Sequence, residues 1–89
     1  MSKRATVGEL LTLLKNAETE VPKGSTWRHY RDNAGEKPYT ITGHAIYEHD
    51  ETVGVLYQNE EGVIFSRPLI EFLEVLRGGT QKRFQKIIT

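Results

Sequence analysis

At 89 residues, with 37% hydrophobic and 27% charged side chains, the chain has the size and balance of one small soluble domain and no room for a second core. Formal charge is zero and cysteine is absent. Those two facts exclude a whole-molecule field that draws in nucleic acid, a disulfide framework, thiolate metal sites and a cysteine nucleophile.

No apolar run approaches the roughly 18 residues a membrane span needs. The opening cluster is interrupted by Gly8, Glu9 and Thr12, unlike the apolar region of a signal peptide, so a cytoplasmic location is expected. Thr6 followed three residues later by Glu9 matches a capping box and starts a helix over residues 6–20. Val7, Leu10, Leu11 and Leu14 recur at helical spacing, widened by Leu13 and Ala17, so the helix is expected to lay this stripe on the rest of the fold. A helix that offers the stripe to a protein partner is the alternative. Val21-Pro22-Lys23-Gly24-Ser25 reads as a turn-forming joint.

From Thr26 the apolar period changes to two. Strands are predicted over Thr26–Arg31, Tyr39–His49, Thr52–Asn59 and Val63–Arg67. Asp32 to Pro38 and Asn59 to Gly62 are turns by composition, which makes neighbouring strands antiparallel. Pro68 cannot donate to a ladder, so the fourth strand stops there and Leu69 to Glu71 form a single helical turn. Phe72–Leu76 and Arg83–Ile88 flank Gly78-Gly79 and predict a terminal hairpin, with a longer helix through "PLIEFLEVL" as the competing reading. The charges alternate in blocks: Glu48, Asp50, Glu51, Glu60 and Glu61 make the middle acidic, while Arg77, Lys82, Arg83 and Lys86 make the end basic.

The body resembles the domain-of-unknown-function family 1653 of prokaryotes and phages. The resemblance runs from about Gly24 to Ile88 through "WRHY" at Trp27 to Tyr30, "Y-x-x-x-G-x-A" at Tyr39 to Ala45 and "HDET" at His49 to Thr52. It continues through "VLY" at Val55 to Tyr57, "FSRPLIEFLE" at Phe65 to Glu74 and "RF" at Arg83-Phe84. It implies a small SH3-type antiparallel β-barrel of about five strands, and it implies no activity. The leading helix and the long turn from Asp32 to Pro38 depart from the family's compact form. The expected architecture is thus mainly β: one domain over residues 1–89, with the helix packed on a barrel body over residues 24–88.

The candidate functional residues follow from residue chemistry. His44 and His49 differ by an odd number along one predicted strand and so point to opposite faces, which argues against a shared metal ion. A hydrolase would centre on His49 with Glu51 as its orienter and Thr52 or Ser66 as nucleophile, but the sequence supplies no clear oxyanion site. A turn held by Asp50, Glu51 and Thr52 explains the same residues. Arg67 shares parity with Val63 and Phe65, so its guanidinium is expected inward or at the rim, where it needs an internal carboxylate or a ligand anion. Glu51, Glu71 and Glu74 are the internal candidates.

Aromatic residues such as Trp27 and Tyr57 lie near Arg28, Arg31, Arg67 and Arg83, the combination small barrels use to stack a base and pair a phosphate. No phosphate loop or dinucleotide fingerprint occurs. The sequence therefore predicts a non-enzymatic binding module for a small anionic ligand, a nucleotide or a nucleic-acid element. The residues named for the site are Arg67, Arg28, His29, His49, Glu51, Tyr57, Trp27 and Arg83. No catalytic residue, metal, cofactor or membrane partner is expected, and a protein-interaction adaptor is the alternative.

Overall fold

Helix α1, Val7–Glu20, begins where the capping box requires. In the computed structural model, which describes residues 4–32, 36–75 and 81–87, the Thr6 hydroxyl accepts from the Glu9 amide at 3.1 Å and the Glu9 carboxylate accepts from the Thr6 amide at 3.0 Å. The helix stops at Val21, whose backbone turns extended ahead of Pro22 while its amide still donates to the Ala17 carbonyl at 2.8 Å. Gly24 then takes a φ of +87°, a turn conformation that favours glycine.

The face that α1 buries overlaps the expected stripe only in part. Ala17 and Val21 are fully buried and Leu10 and Leu14 are half-buried, whereas Val7 is 73% and Leu11 60% exposed. The apolar arc is wide, and residues 10, 14, 17 and 21 form its centre because small Ala17 lets the helix come close to the sheet. Val7 and Leu11 lie on the solvent flank of that arc.

Five strands follow: β1 Thr26–His29, β2 Tyr39–Tyr47, β3 Thr52–Gln58, β4 Ile64–Pro68 and β5 Phe84–Lys86, with a one-turn helix α2, Leu69–Phe72, between the last two. They form one antiparallel sheet in the order β4-β3-β2-β1-β5. The edge strands β4 and β5 do not pair with each other among the described residues, so the sheet is open there. No helix of the described residues is long and apolar enough to cross a membrane.

Several boundaries move from their predicted places. β1 ends at His29, with Tyr30 and Arg31 in a turn, and β2 ends at Tyr47, which leaves His49 in a turn. Phe72 closes α2 instead of opening a strand. The expected terminal hairpin is reduced to a single bridge between Val75 and Lys82, supported by the Arg83 amide donating to the Glu74 carbonyl at 2.9 Å. The longer strand partner of β5 is β1. The predicted tip of that hairpin, residues 77–80, lies outside the described residues, as do parts of the long turn after Asp32.

One irregularity decides which side chains face inward. The β2–β3 register shifts between Ile41 and Gly43, so Ile41 pairs with Tyr57 while His44, rather than Gly43, pairs with Val55 on the core face. His44 is accordingly drawn under α1, where its Nε2 lies 2.8 Å from the Val21 carbonyl and its Nδ1 3.2 Å from the Glu18 carboxylate.

The core itself is Val21, Trp27, Ile41, Val55, Tyr57, Phe72 and Phe84, with Phe72 and Phe84 stacked at 4.3 Å. On the opposite face of the sheet the Tyr47 ring covers Gly54 so closely that a Cβ there would lie 2.7 Å from ring carbons.

Candidate functional site

The β3–β4 register pairs Phe65 with Tyr57 and Arg67 with Val55, which places Arg67 on the face that carries the core. On the other side of the sheet order, β1 pairs with β5 so that His29 sits opposite Phe84. Between them lies an open groove of about 490 Å³. Its floor is aromatic: Tyr39 meets Tyr57 edge-on at 5.2 Å, and Tyr57 stacks with Phe65 at 5.7 Å and meets Phe84 at 5.4 Å. Its rim carries Arg67, His29, Arg31, Lys37 and Asp32.

Arg67 is only loosely satisfied. Its side chain is 29% exposed, and its Nη1 lies 3.6 Å from the half-exposed Glu71 carboxylate one helical turn on. Its Nε donates to the Tyr57 hydroxyl at 3.4 Å, a long hydrogen bond. The guanidinium also lies over the Phe84 ring, 5.9 Å from the centroid. The hydrogen bond to Tyr57 is the main reason that its pKa lies above the ordinary arginine range. Burial opposes this, and the Glu71 and Glu74 carboxylates add to it.

His29 is held below the ordinary histidine range, first by burial and then by the positive charges of Arg31, Arg67 and Arg83. Its Nδ1 accepts from the Arg31 amide at 3.2 Å, which fits a neutral ring with its proton on Nε2. Asp32 sets one negative charge against this field, and its two oxygens accept from the Glu36 and Lys37 amides at 3.1 and 2.8 Å and pin the returning turn. Arg31 contributes its Nε to the Tyr30 hydroxyl at 3.0 Å, and Lys37 has no ion pair among the described residues. A chain of zero net charge thus concentrates three cations and one tethered carboxylate around one aromatic floor.

The groove gathers Arg67, His29 and Tyr57 from the residues named by sequence; the others have different work. Trp27 is buried against Phe72 at 5.1 Å, with its Nε1 donating to the Ser25 hydroxyl. Arg28 points to the opposite face, where it donates to Gln85 and to the Asp32 carbonyl. Arg83 pairs with Glu74 at 2.7 Å and braces the bridge before β5.

His49 lies 3.3 Å from Asp50 in the β2–β3 turn, and Asp50 in turn accepts from the Thr52 hydroxyl at 2.7 Å. That hydrogen bond is the main reason the Asp50 carboxyl lies below its usual range. Glu51 takes a left-handed φ of 57° while its carboxylate accepts from the Ala5 amide at 3.1 Å, with Arg4 beyond. Its role is to tie the start of the chain to the turn, and the cost of that backbone conformation is the cost of the tether. Ser66 accepts from the Tyr47 hydroxyl at 3.1 Å.

Arg31, Asp32, Lys37, Tyr39, Phe65 and Phe84 complete the groove and were not named for it. Arg31 carried a signal as one of the arginines beside aromatic residues, and Tyr39, Phe65 and Phe84 carried one as members of the aromatic set too large to bury fully; Asp32 and Lys37 carried none. Among the described residues no group of three or more His, Asp or Glu side chains is disposed to hold a metal.

Fold and groove define a small mainly-β domain: a five-stranded antiparallel sheet with an N-terminal helix and a cation-rimmed aromatic groove. Residues 25–86 match the family model described as Protein of unknown function (DUF1653), and the chain belongs to that family. The matched span contains the whole groove and leaves α1 outside it. Comparison with curated proteins and with solved structures found no match.

Proposed function

We propose that this chain is a non-enzymatic binding module that recognises a small anionic ligand, such as a nucleotide or the phosphate of a nucleic-acid element, in the groove beneath Arg67. The observation that carries the reading is the under-compensated guanidinium. Arg67 has one long hydrogen bond and one ion pair to a half-exposed carboxylate, and it shares an aromatic-floored groove with Arg31 and Lys37. A planar guanidinium above a partly dry floor suits bidentate pairing with phosphate or carboxylate, and neighbouring cations add charge without competing for the same oxygens.

The strand order, with a one-turn helix just before the last strand, supports a half-open SH3-type barrel as the scaffold. The contacts of α1 with the sheet support residues 1–89 folding as one domain. A cytoplasmic setting suits a chain without cysteine. Binding rather than hydrolysis is favoured because Asp50 and Thr52 beside His49 hydrogen-bond each other, Glu51 is turned to the Ala5 amide, and Ser66 accepts from Tyr47.

Isothermal titration against pyrophosphate, nucleotides and short single-stranded oligonucleotides, on wild type and Arg67→Lys, tests the reading. Binding that weakens with salt and collapses in Arg67→Lys is expected. A wild type that binds nothing on the panel contradicts it.

A further inference from the structure

A second concavity lies away from the aromatic groove, where α1, the β2–β3 turn and α2 meet. It measures about 540 Å³. Leu13 forms one wall, Val53 and Leu69 line the bottom, and Ile70 stands at the other side, 81% exposed and the most exposed large apolar side chain among the described residues. An isoleucine is costly to leave in water to that degree, and here it faces a concave apolar surface.

The charged residues of the same concavity are of one sign. Asp50, Glu51 and Glu71 supply three carboxylates and no lining residue is basic. Their partners His49, Arg4 and Arg67 stand outside the lining at 3.3, 3.9 and 3.6 Å, the last two long enough to leave the carboxylates open to a closer cation. Asp50 and Glu71 each leave about half of the side chain in solvent. Burial of Ile70 favours an apolar occupant and the carboxylate rim favours a cationic one. Both demands are met by a segment whose apolar side chains alternate with lysine or arginine at helical spacing.

The helical wall, Leu13, comes from α1, which precedes the span matched by the family model, while the rest of the lining lies within that span. Leu13 is left partly exposed at the groove although Leu10, Leu14 and Ala17 already fix α1 to the sheet. Its apolar surface is available to a partner without cost to the fold.

We infer that the acid-rimmed apolar groove between α1 and α2 is a docking site for a basic amphipathic segment of a partner protein. Its apolar lining is separate from the groove beneath Arg67, and among the described residues the two sites meet only through the Arg67–Glu71 pair. The groove walls are fixed by elements whose other faces sit in the core, so the partner segment orders on a preformed surface.

The test is fluorescence anisotropy with a labelled synthetic peptide of leucine and lysine at helical spacing and its leucine–glutamate counterpart. It is run on the full chain and on Ile70→Ser, Leu13→Ser and, as an exposed apolar control in β4, Ile64→Ser. Circular dichroism melts confirm that each variant is folded. The lysine peptide should bind, lose about tenfold in affinity with Ile70→Ser and with Leu13→Ser, and keep its affinity with Ile64→Ser.

Absence of binding, equal binding of the glutamate peptide, or affinity insensitive to Ile70→Ser overturns the inference. Sedimentation equilibrium supplies a separate contradiction: a wild-type dimer that Ile70→Ser dissolves would mean that a second copy of the chain covers this groove.

Discussion

Replacing Arg67 with lysine separates the two roles that a partly buried guanidinium can play. Lysine keeps the positive charge and loses the planar fork. The contacts at stake are the 3.6 Å pair with Glu71, whose carboxylate is half exposed, and the 3.4 Å hydrogen bond from Nε to the Tyr57 hydroxyl. An exposed pair of this kind contributes about 0.2–1 kcal/mol, and lysine retains part of it. A typical hydrogen bond is worth about 0.5–1.5 kcal/mol net, and one stretched to the edge of the accepted range falls at the low end.

The expected loss of stability is therefore about 0.5–1 kcal/mol, read by calorimetry as a fall in Tm of about 2–8 °C for a domain of this size. Anion affinity should fall much further, by about tenfold or more, because the bidentate fork is what the ligand uses. If Arg67→Lys instead costs about 3 kcal/mol or more, the range expected for breaking a buried pair, the guanidinium is an internal strut and the binding reading loses its support.

Truncating the fully buried Phe72 to alanine should cost about 3–5 kcal/mol in chemical denaturation, whereas Leu11→Ala on the exposed flank of α1 should cost less than about 0.5 kcal/mol. A large loss for Leu11→Ala would restore the stripe first read from the sequence. Gly54→Ala drives a methyl group into the Tyr47 ring and should cost about 1–3 kcal/mol; an equal cost in a Tyr47→Ala background would rule out that clash as the cause.

His29 gives the pH prediction. Its folded pKa lies below the ordinary histidine value of about 6.5, so at intermediate pH the unfolded chain binds more protons than the folded one and stability rises with pH. Thermal scans should show stability falling as pH drops from about 6.5 through the lower folded pKa. His29→Gln should flatten that segment of the profile, and an unchanged slope would contradict the assignment.

What the sequence revealed and what it concealed have physical causes. Local signals read correctly: the Thr6–Glu9 capping box, the stop at Pro68 and the single helical turn after it depend on neighbours within four residues. Arg67 was legible because β4 pairs with β3 without interruption, so parity carried through from Phe65. Parity could not be carried along β2, where the bulge after Ile41 brings His44 inward and the strand ends before His49.

The helix face was read correctly at Leu10, Leu14 and Ala17 but too widely at Val7 and Leu11, because leucine spacing does not show that small Ala17 sets the closest approach and that Val21, before proline, anchors the end. The groove was half visible. Its tyrosine, histidine and arginine could be suspected from type, but Phe84 reaches them only through the β1–β5 pairing, and Lys37 and Asp32 only through the return of a long turn. Conversely, Trp27, Arg28, Arg83 and Glu51 carried the right chemistry and are engaged in packing, hydrogen bonds or tethers, while His49 lies exposed beside Asp50 in a turn away from the groove.

The central claim is that the groove beneath Arg67 takes an anion. Backbone amide NMR during titration with pyrophosphate and with a nucleotide tests it most directly, because each residue reports separately. The account predicts saturable shifts concentrated at His29, Arg31, Lys37, Tyr39, Phe65 and Arg67, with His49 and Glu51 unmoved and the shifts lost in Arg67→Lys. Saturable shifts centred on other residues, or none in the groove at saturating ligand, would contradict it.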